Sequence, residues 1–491
     1  MRFYTILILC ILVCQCAYAD FDWNKNCRDA YSSIISLKFK QAQQTLDIEK
    51  GQNPDNSLVY LIEDYIDYLT IQIGEEQSFF EQNKEFKNSR LTAIENDQSS
   101  SPWHLYSQAE IHLHWAGNRL KFGEYITAAY ELRKAYKLVT KNDYLYPEFL
   151  PNKKSLGLLY SLIGSVPQQY QWVLSVVGMQ GNLNEGLTLL ENTIHSMKTD
   201  TLFSCMYEET YFLYSFLKMN LDNNKDDVKS ILEDIINSRN LLLNFAASRL
   251  ASVNGQNDMA IEILEKRDKG HEFFHFVYLE YLLGLAKINQ INKEGIRHLE
   301  TYIQEFNGNN YKKSALMRMS WYAFINDDFE SYITYKQHID SVGSLLVDAD
   351  IEAQHFFKSQ HTPHKVLLKA RLYFDGSYFK KCLDELLKID LSTNHLQLYD
   401  ELDYYYRFAR VHEQLNNVDT AINYYEKALK KGAQETYFFA AKSALQLGFI
   451  YEKKSDFKNA EYFFNTCIDL DNHLYEQSIE QKAKAGLDRL N

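Results

Sequence analysis

Apolar residues recur along most of this 491-residue chain at spacings of three and four rather than two. Such spacing places the apolar side chains on one face of an α-helix. Helix-breaking residues are scarce, because the sequence contains only six prolines and 19 glycines. The pattern therefore predicts an all-α protein.

A repeated order of small and large residues organises the C-terminal part of the chain. Small residues on the first helix of successive units, Ala370, Ala409 and Gly448, stand 39 positions apart. The second helix of each unit carries a matching set: Cys382, Leu386 and Ile389; Ala421, Tyr425 and Ala428; Ala460, Phe464 and Cys467. Antiparallel helices approach closely only where small residues face each other, and large residues fill the groove to the next pair.

These units resemble tetratricopeptide repeats, in which stacked helix pairs bury a continuous core that no pair buries alone. Weaker copies occur upstream: Ala30, Ala42, Leu46 and Pro54; Ser248, Ala260 and Leu264; Gly284 and Ile296. Roughly ten to twelve helix pairs of about 40 residues would fill the chain. The predicted fold is an α-solenoid, a superhelix of stacked antiparallel helix pairs.

Residues 105–194 carry a more particular series. It runs from Ala128-Ala129-Tyr130-Glu131-Leu132-Arg133-Lys134-Ala135-Tyr136 to Gly157, Leu159, Ser161-Leu162, Pro167, Gly178, Gly181-Asn182 and Gly186-Leu187. This series resembles the tetratricopeptide family of the fungal inclusion-body-clearance protein and its animal relatives. Members of that family are helical adaptors without known catalytic residues, so the resemblance implies a non-catalytic scaffold with a protein partner.

The first 19 residues have the pattern of an export signal. Met1-Arg2 precedes an apolar run that is too short to span a bilayer, and Ala17-Tyr18-Ala19 suits a signal peptidase. A lipoprotein alternative would use Cys14 or Cys16, although neither follows a small residue. No later stretch offers about twenty uninterrupted apolar residues, so no transmembrane segment is expected after signal removal. We expect an exported protein.

The absence of N-glycosylation patterns bears on the cellular compartment of the protein. No asparagine in the chain is followed two positions later by serine or threonine, the pattern of N-glycosylation sites. This favours a bacterial periplasm, with secretion as the alternative.

The polar residues 83–101 predict a loop at the seam between two parts of the mature chain. The predicted organisation is a signal peptide at 1–19, N-terminal helical repeats at 20–101 and the tetratricopeptide-type superhelix at 102–491.

Charge and cysteines restrict the possible partners and sites. The formal net charge of −13 argues against a nucleic-acid partner, which requires a positive surface. Cys27, Cys205, Cys382 and Cys467 are too widely separated in sequence for a clustered metal site. They are expected to be buried thiols, with a long-range disulfide as the alternative. No cofactor is expected.

His271-Glu272-Phe273-Phe274-His275 matches the zinc-peptidase pattern of two histidines one helical turn apart with a glutamate base, and Glu294 follows as a possible third ligand. In an antiparallel hairpin, however, Glu294 would lie roughly 16 Å from His275 along the helix axis. Zinc ligands lie about 2 Å from the metal. A zinc-dependent peptidase therefore stays the alternative function.

A second segment, Asp222-Asn223-Asn224-Lys225-Asp226 with Glu233, has the alternating oxygen ligands of a calcium loop. Asp227 occupies the position where such a loop requires glycine. A helix cap by Asp226 or Asp227, for a helix starting near Val228, is the favoured interpretation.

The favoured function is a scaffold that binds a polypeptide on its concave face, and a structural spacer without a ligand is a further possibility. In stacked repeats, the first helix of each unit lines the inner curve. Residues three before and one after its small packing residue then point into the groove: Leu367 and Arg371, Tyr406 and Arg410, Leu445 and Phe449. Arginines beside aromatic residues suit an acidic peptide, although Arg371 and Arg410 could instead pair with neighbouring acids.

Overall fold

The structure is a computed structural model that describes residues 21–97, 99–166, 178–221, 225–359, 361–391, 396–471 and 473–490. Within these ranges the regular structure consists of 24 α-helices and two short 3₁₀-helices, Ser204–Met206 and Ile339–Ser341. The predicted all-α class is confirmed. The signal peptide predicted at residues 1–19 lies outside the described residues.

The chain divides into two compact units. The first comprises the described residues up to Asn254, with Glu262–Leu279 and Glu305–Asn309. The second comprises Gly255–Ile261, Glu280–Gln304 and the described residues from Asn310 onward.

Among the described residues, eleven helices belong wholly to the first unit. They are α1 Lys25–Ile35, α2 Phe39–Gln52, α3 Leu58–Gly74, α4 Gln77–Asn96, α5 Pro102–Lys121, α6 Tyr125–Leu145, α7 Leu150–Gly164, α8 Leu183–Thr199, α9 Tyr207–Leu221, α10 Lys225–Ile235 and α11 Leu241–Val253.

Three further helices, α12 Asn257–Lys266, α13 Tyr278–Asn289 and α14 Glu294–Glu305, have residues in both units. The described part of the second unit continues with ten more helices. They are α15 Lys312–Ile325, α16 Phe329–His338, α17 Asp348–Lys358, α18 Lys365–Asp375, α19 Phe379–Leu386, α20 Leu398–Gln414, α21 Val418–Gly432, α22 Phe439–Lys453, α23 Phe457–Asp469 and α24 Glu476–Leu490.

The three C-terminal repeats fold as their small residues predict. Helices α18 and α19, α20 and α21, and α22 and α23 pack as consecutive pairs. Ala370 and Ala409 are fully buried on the first helices, as are Cys382, Ala421 and Ala460 on the second ones. The positions predicted to bring the helices together therefore lie in the core.

A turn of constant geometry joins the two helices of each of these repeats. Ser377, Asn416 and Ser455 adopt left-handed backbone conformations with φ of 60°, 61° and 58°, and they are spaced by the same 39 residues as the small packing positions. A left-handed residue terminates the first helix and reverses the chain. In the last repeat the Asp456 carboxylate then accepts a hydrogen bond from the Asn459 backbone N–H at 3.2 Å, which caps α23.

In the first unit, α7 and α8 cross at two glycines of the family-like series. A Cβ atom on Gly186 would lie 2.6 Å from the Gly157 carbonyl oxygen and 2.5 Å from the Ser161 backbone nitrogen. Only glycine allows so close an approach of the two backbones. Pro167, from the same series, lies outside the described residues.

The loop predicted at residues 83–101 is wrong for residues 83–96, because α4 continues to Asn96, whereas residues 97 and 99–101 have irregular backbone. Its buried face includes Phe80, Asn83, Lys87 and Leu91, at helical spacing. Asparagine and lysine are usually exposed, but Asn83 and Lys87 are buried here. The Lys87 ammonium is bonded to the buried Glu131 carboxylate. The boundary predicted between residues 101 and 102 stays a prediction, and residues on both sides of it belong to the first unit.

The four cysteines that the structure describes are unpaired. Cys27, Cys382 and Cys467 are buried, Cys205 is half-buried, and all four thiols are free. Burial raises the pKa of each thiol to about 12. Within the described ranges, no helix combines the length and the apolar character needed to cross a bilayer.

Candidate functional site

The second unit contains a cavity of about 1290 Å³. The first helices of the three C-terminal repeats, α18, α20 and α22, line it together with α15, α17 and α24. Its wall combines aromatic rings, including Trp321, Phe374 and Tyr475, with charged side chains of both signs. An aromatic wall with a few polar groups is typical of a ligand-binding cavity.

Four of the six residues predicted to face the groove line this cavity: Leu367, Arg371, Tyr406 and Arg410. The other two do not. Leu445 is 3% exposed and belongs to the core beside α23 and α24. Phe449 packs its ring against Phe464, with the ring centroids 5.4 Å apart.

The cavity extends one helical turn further toward the start of each first helix than the spacing of the packing residues predicted. Residues six positions before the small packing residues, His364, Asp403 and Lys442, all line it. They lie on the same helix face as the residues three positions before and one position after each small packing residue, because side chains three and four positions apart are neighbours on a helix. The sequence analysis missed Lys442 because it considered only one turn of that face.

The Arg371 guanidinium is paired with carboxylates of the protein. Its guanidinium is bonded to Glu352 and lies 3.9 Å from an Asp375 oxygen, and it stacks 4.4 Å from the centre of the Trp321 ring. Burial opposes its charge, but the two carboxylates hold the pKa of Arg371 above its usual value. The pairing of Arg371 with neighbouring acids, left open by the sequence, is present.

Arg410 has different surroundings. It donates a hydrogen bond to the Tyr406 hydroxyl at 3.0 Å and lies 5.0 Å from the centre of the Phe374 ring. Its Nε atom is buried and has no hydrogen-bond partner among the residues that the structure describes. No carboxylate of the described residues lies within ion-pair distance of it.

The Lys442 ammonium lies over two rings, 4.4 Å from the centre of Phe438 and 5.0 Å from that of Tyr475. Burial first, and then repulsion from Arg371 and Arg410, lower the pKa of Lys442 to about 8, against attraction by Glu352. Like Arg410, it makes no ion pair with any carboxylate that the structure describes.

The remaining carboxylates on α20 already have partners. Asp403 lies 2.9 Å from Nε of Arg407 on the same helix, and Asp400 lies 3.0 Å from Nε2 of His361. Burial raises the pKa of Asp400, although His361 opposes the shift. Glu352, Asp375, Asp400 and Asp403 in this wall are therefore each paired with a basic side chain, whereas Arg410 and Lys442 form no ion pair with a carboxylate of the described residues.

The segment that resembles a zinc-peptidase motif does not form a helix. Residues 271–275 are turns and irregular backbone between α12 and α13, so the spacing of His271 and His275 does not place both rings on one helix face. The Glu294 carboxylate is bonded to Lys287. Among the described residues, no three histidine, cysteine or acidic side chains are grouped to hold a metal ion.

The calcium-like segment can be followed only in part. Residues 222–224 lie outside the described part of the chain, as do the side chains of Asp226 and Asp227. The helix there begins at Lys225, three residues before the predicted start near Val228.

Matches to two family models agree with the repeat architecture. Residues 152–304 match the family model described as Iml2/Tetratricopeptide repeat protein 39, and residues 402–430 and 441–473 match the tetratricopeptide repeat model. The second match covers the α20–α21 and α22–α23 pairs. None of the curated proteins compared with the chain matches it. The crystal structure of yeast Tom70 is similar over 86% of this chain and 96% of that one, with 12% sequence identity and a TM-score of 0.23.

The chain contains tetratricopeptide repeats and resembles the Iml2/Tetratricopeptide repeat protein 39 family. This agrees with the resemblance seen in residues 105–194, although the matched segment begins later and extends further. Repeats of this kind indicate a protein-binding scaffold.

Proposed function

We propose that this protein is a non-catalytic scaffold that binds an extended polypeptide segment in the cavity of its second unit. The single observation that carries the proposal is that first helices of three successive repeats contribute corresponding positions to one cavity wall. A regular array of side chains along successive helices suits a chain that also repeats along its length.

The composition of the wall supports a polypeptide over a small metabolite. Aromatic side chains supply large, rigid contact areas, and here they alternate with charged groups over a volume of about 1290 Å³. Binding, rather than chemistry, is the function that this arrangement favours.

The proposal can be tested by obstructing the cavity. Ser478 is exposed on α24 and lines it, whereas the neighbouring Gln477 is exposed and does not. Partners are first captured in cells by a photo-crosslinking residue at Phe374 and identified by mass spectrometry. The affinity of the purified partner is then measured by calorimetry.

We expect Ser478→Trp to weaken that affinity strongly and Gln477→Trp to leave it close to the wild-type value. Equal affinities for the two variants would contradict binding in the cavity.

We also propose that the protein is exported, with a bacterial periplasm favoured over secretion. The support is the charged and apolar run followed by Ala17-Tyr18-Ala19. Intact-mass measurement of the protein from cells tests this, because cleavage would leave Asp20 as the first residue. A product that retains Met1, or an acylated product beginning at Cys14 or Cys16, would contradict it.

A further inference from the structure

Helix α6 and the end of α5 expose a cluster of large apolar side chains. Each of the following is at least half exposed: Leu120, Tyr125, Ile126, Tyr130, Tyr144 and Leu145. Ile126 is 91% exposed and Tyr144 is 87% exposed, the largest fractions for large apolar side chains that the structure describes. Apolar side chains that are exposed singly are ordinary, whereas a cluster of them is typical of an interaction surface.

The most exposed of these side chains follow the outer face of α6. Ile126, Tyr130, Lys137 and Tyr144 are separated by four or seven residues, which correspond to one or two turns of an α-helix. The opposite face is buried and consists of Ala128, Glu131, Ala135, Val139 and Asn142. The outer face therefore forms a straight stripe, about 27 Å long from Ile126 to Tyr144 at 1.5 Å per residue.

Three lysines, Lys134, Lys137 and Lys141, are exposed on this side of α6. The Lys134 ammonium lies 4.9 Å from the centre of the Tyr130 ring. None of the three forms an ion pair with a carboxylate of the described residues. Their charges are therefore available to a partner outside the protein.

The acidic side chains on and beside α6 are already neutralised or buried. Asp143 lies 2.7 Å from the Lys153 ammonium, and Glu124 lies 2.7 Å from the Lys84 ammonium. Glu131 belongs to the buried face. The outer face of α6 is therefore positive, although the formal net charge of the chain is −13. Because salt screens exposed charges beyond about 10 Å, the local charge decides what this face attracts.

The order of the groups along the stripe favours a lipid surface over a protein partner. Protein interfaces usually have an apolar centre and a polar rim. Here Ile126 and Tyr130 lie toward one end, Tyr144 and Leu145 lie at the other, and the lysines lie between them. Aromatic rings settle at the headgroup level of a bilayer. Lysine stems lie along apolar groups while their ammonium groups reach lipid phosphates.

We propose that the outer face of α6 binds the surface of an anionic phospholipid bilayer. Ile126 and Tyr144 insert among the headgroups, and Lys134, Lys137 and Lys141 contact lipid phosphates. Such a contact is peripheral and requires no membrane-spanning helix. The inference is independent of the proposed polypeptide binding, because α6 belongs to the first unit and the cavity to the second.

Vesicle co-sedimentation of the full chain tests the charges. Vesicles that contain equal amounts of phosphatidylglycerol and phosphatidylcholine should bind the protein at low salt and release most of it at high salt. Vesicles of phosphatidylcholine alone should bind it much more weakly. Replacing Lys134, Lys137 and Lys141 together with glutamine should lower the partition coefficient about 100-fold, since each lysine near an anionic surface contributes about fivefold.

A matched triple variant separates the local charge from the net charge. Lys380 on α19 and Lys427 and Lys430 on α21 are also exposed. Replacing these three lysines with glutamine changes the net charge by the same amount and should leave binding close to that of the wild type. Circular dichroism melting of both triple variants establishes that the helices remain folded.

Fluorescence quenching identifies the face that meets the bilayer. Ile126→Trp places an indole on the proposed contact face, and Tyr462→Trp places one on α23, where the native side chain is 61% exposed. Lipids with brominated acyl chains quench only nearby tryptophans. We expect these lipids to quench the added fluorescence of the Ile126 variant and not that of the Tyr462 variant.

The proposal fails if the wild type does not sediment with the anionic vesicles, or if the two triple variants bind them equally. Equal quenching at positions 126 and 462 would also overturn it. Retention of the wild type on immobilised polyglutamate, without binding to the vesicles, would identify an acidic polypeptide as the partner of this face and would exclude the bilayer.

Discussion

The Lys154 ammonium lies 2.9 Å from a carboxylate oxygen of Glu110 and 2.7 Å from one of Glu209, inside the first unit. It also donates a hydrogen bond to the Tyr65 hydroxyl at 2.8 Å. Lys154 and Glu110 are each 1% exposed. Burial alone would raise the pKa of Glu110, but Lys154, assisted by His114, lowers it to about 2. A fully satisfied buried network of this kind has one stable arrangement, which favours a unique packing of α5, α7 and α9.

Replacing Lys154 with methionine should therefore destabilise the protein strongly. The variant leaves two buried carboxylates without their cation, and breaking a buried pair costs about 3–5 kcal/mol. The adjacent Lys153, paired with Asp143 at 2.7 Å near the surface, provides the control. Its methionine variant should lose no more than about 1 kcal/mol. Urea denaturation followed by circular dichroism measures both, and equal losses would contradict the role assigned to Lys154.

Acidification should destabilise the first unit through Glu131. Burial opposes the charge of Glu131, but bonds from His112 and Lys87 lower its pKa to about 2, from an ordinary value of 4.5. Because the folded pKa is the lower one, the stabilisation is complete above pH 4.5 and is lost as the pH falls toward 2. Unfolding free energies measured across this window should decrease less steeply for Glu131→Gln than for the wild type. Parallel curves would exclude Glu131 as a contributor.

The Phe464 ring is held between two glycines of neighbouring helices. A Cβ atom on Gly448 or on Gly486 would lie 2.5 Å from a ring carbon of Phe464. Gly448→Leu should therefore separate α22 from α23 and cost about 1–3 kcal/mol, the usual effect of overpacking. Gly51, whose added Cβ would meet no atom within 4 Å, is the control for the same substitution. If the Gly448 and Gly51 variants melt at the same temperature, the packing assignment is wrong.

The repeat core could be predicted from the sequence because the property that matters there is local. A small residue such as Ala409 or Ala421 allows close approach wherever the helix pair forms, so its spacing alone reveals the register. The buried face of α4 could not be found in this way. Lys87 is buried only because Glu131, 44 residues later in the chain, neutralises it.

The cavity, too, could be predicted from the sequence only where it follows from the local helical spacing. Periodicity identified the face of α18 and α20 that lines it, but not how far along each helix the cavity extends. Whether an arginine has an ion-pair partner depends on residues that are distant in sequence. Glu352 is bonded to Arg371, whereas no acid among the described residues pairs with Arg410. Nothing local to Lys442 in the sequence indicates that its charge is unmatched.

The affinity for an acidic peptide should depend on pH through Lys442. Its ammonium faces Arg371 on α18, Arg410 on α20 and Lys482 on α24, with Glu352 on α17 as the opposing charge. Since the pKa of Lys442 is lowered to about 8, the free protein progressively loses this charge above pH 8. A carboxylate ligand favours the charged form, so the affinity should be constant well below pH 8 and fall as the pH rises through it.

Fluorescence anisotropy titrations of a labelled peptide that alternates glutamate with tyrosine, from neutral to alkaline pH, measure this decline. Lys442→Arg should abolish it, because a guanidinium keeps its proton throughout. Partial unfolding at alkaline pH would not explain a decline in affinity that depends on Lys442. The unfolded chain, with an ordinary lysine pKa of 10.5, binds the extra proton between pH 8 and 10.5, so this residue makes the folded state more stable as the pH rises there. A wild-type affinity that stays constant across pH 8, or an equal decline in Lys442→Arg, would show that Lys442 does not contact the bound anion.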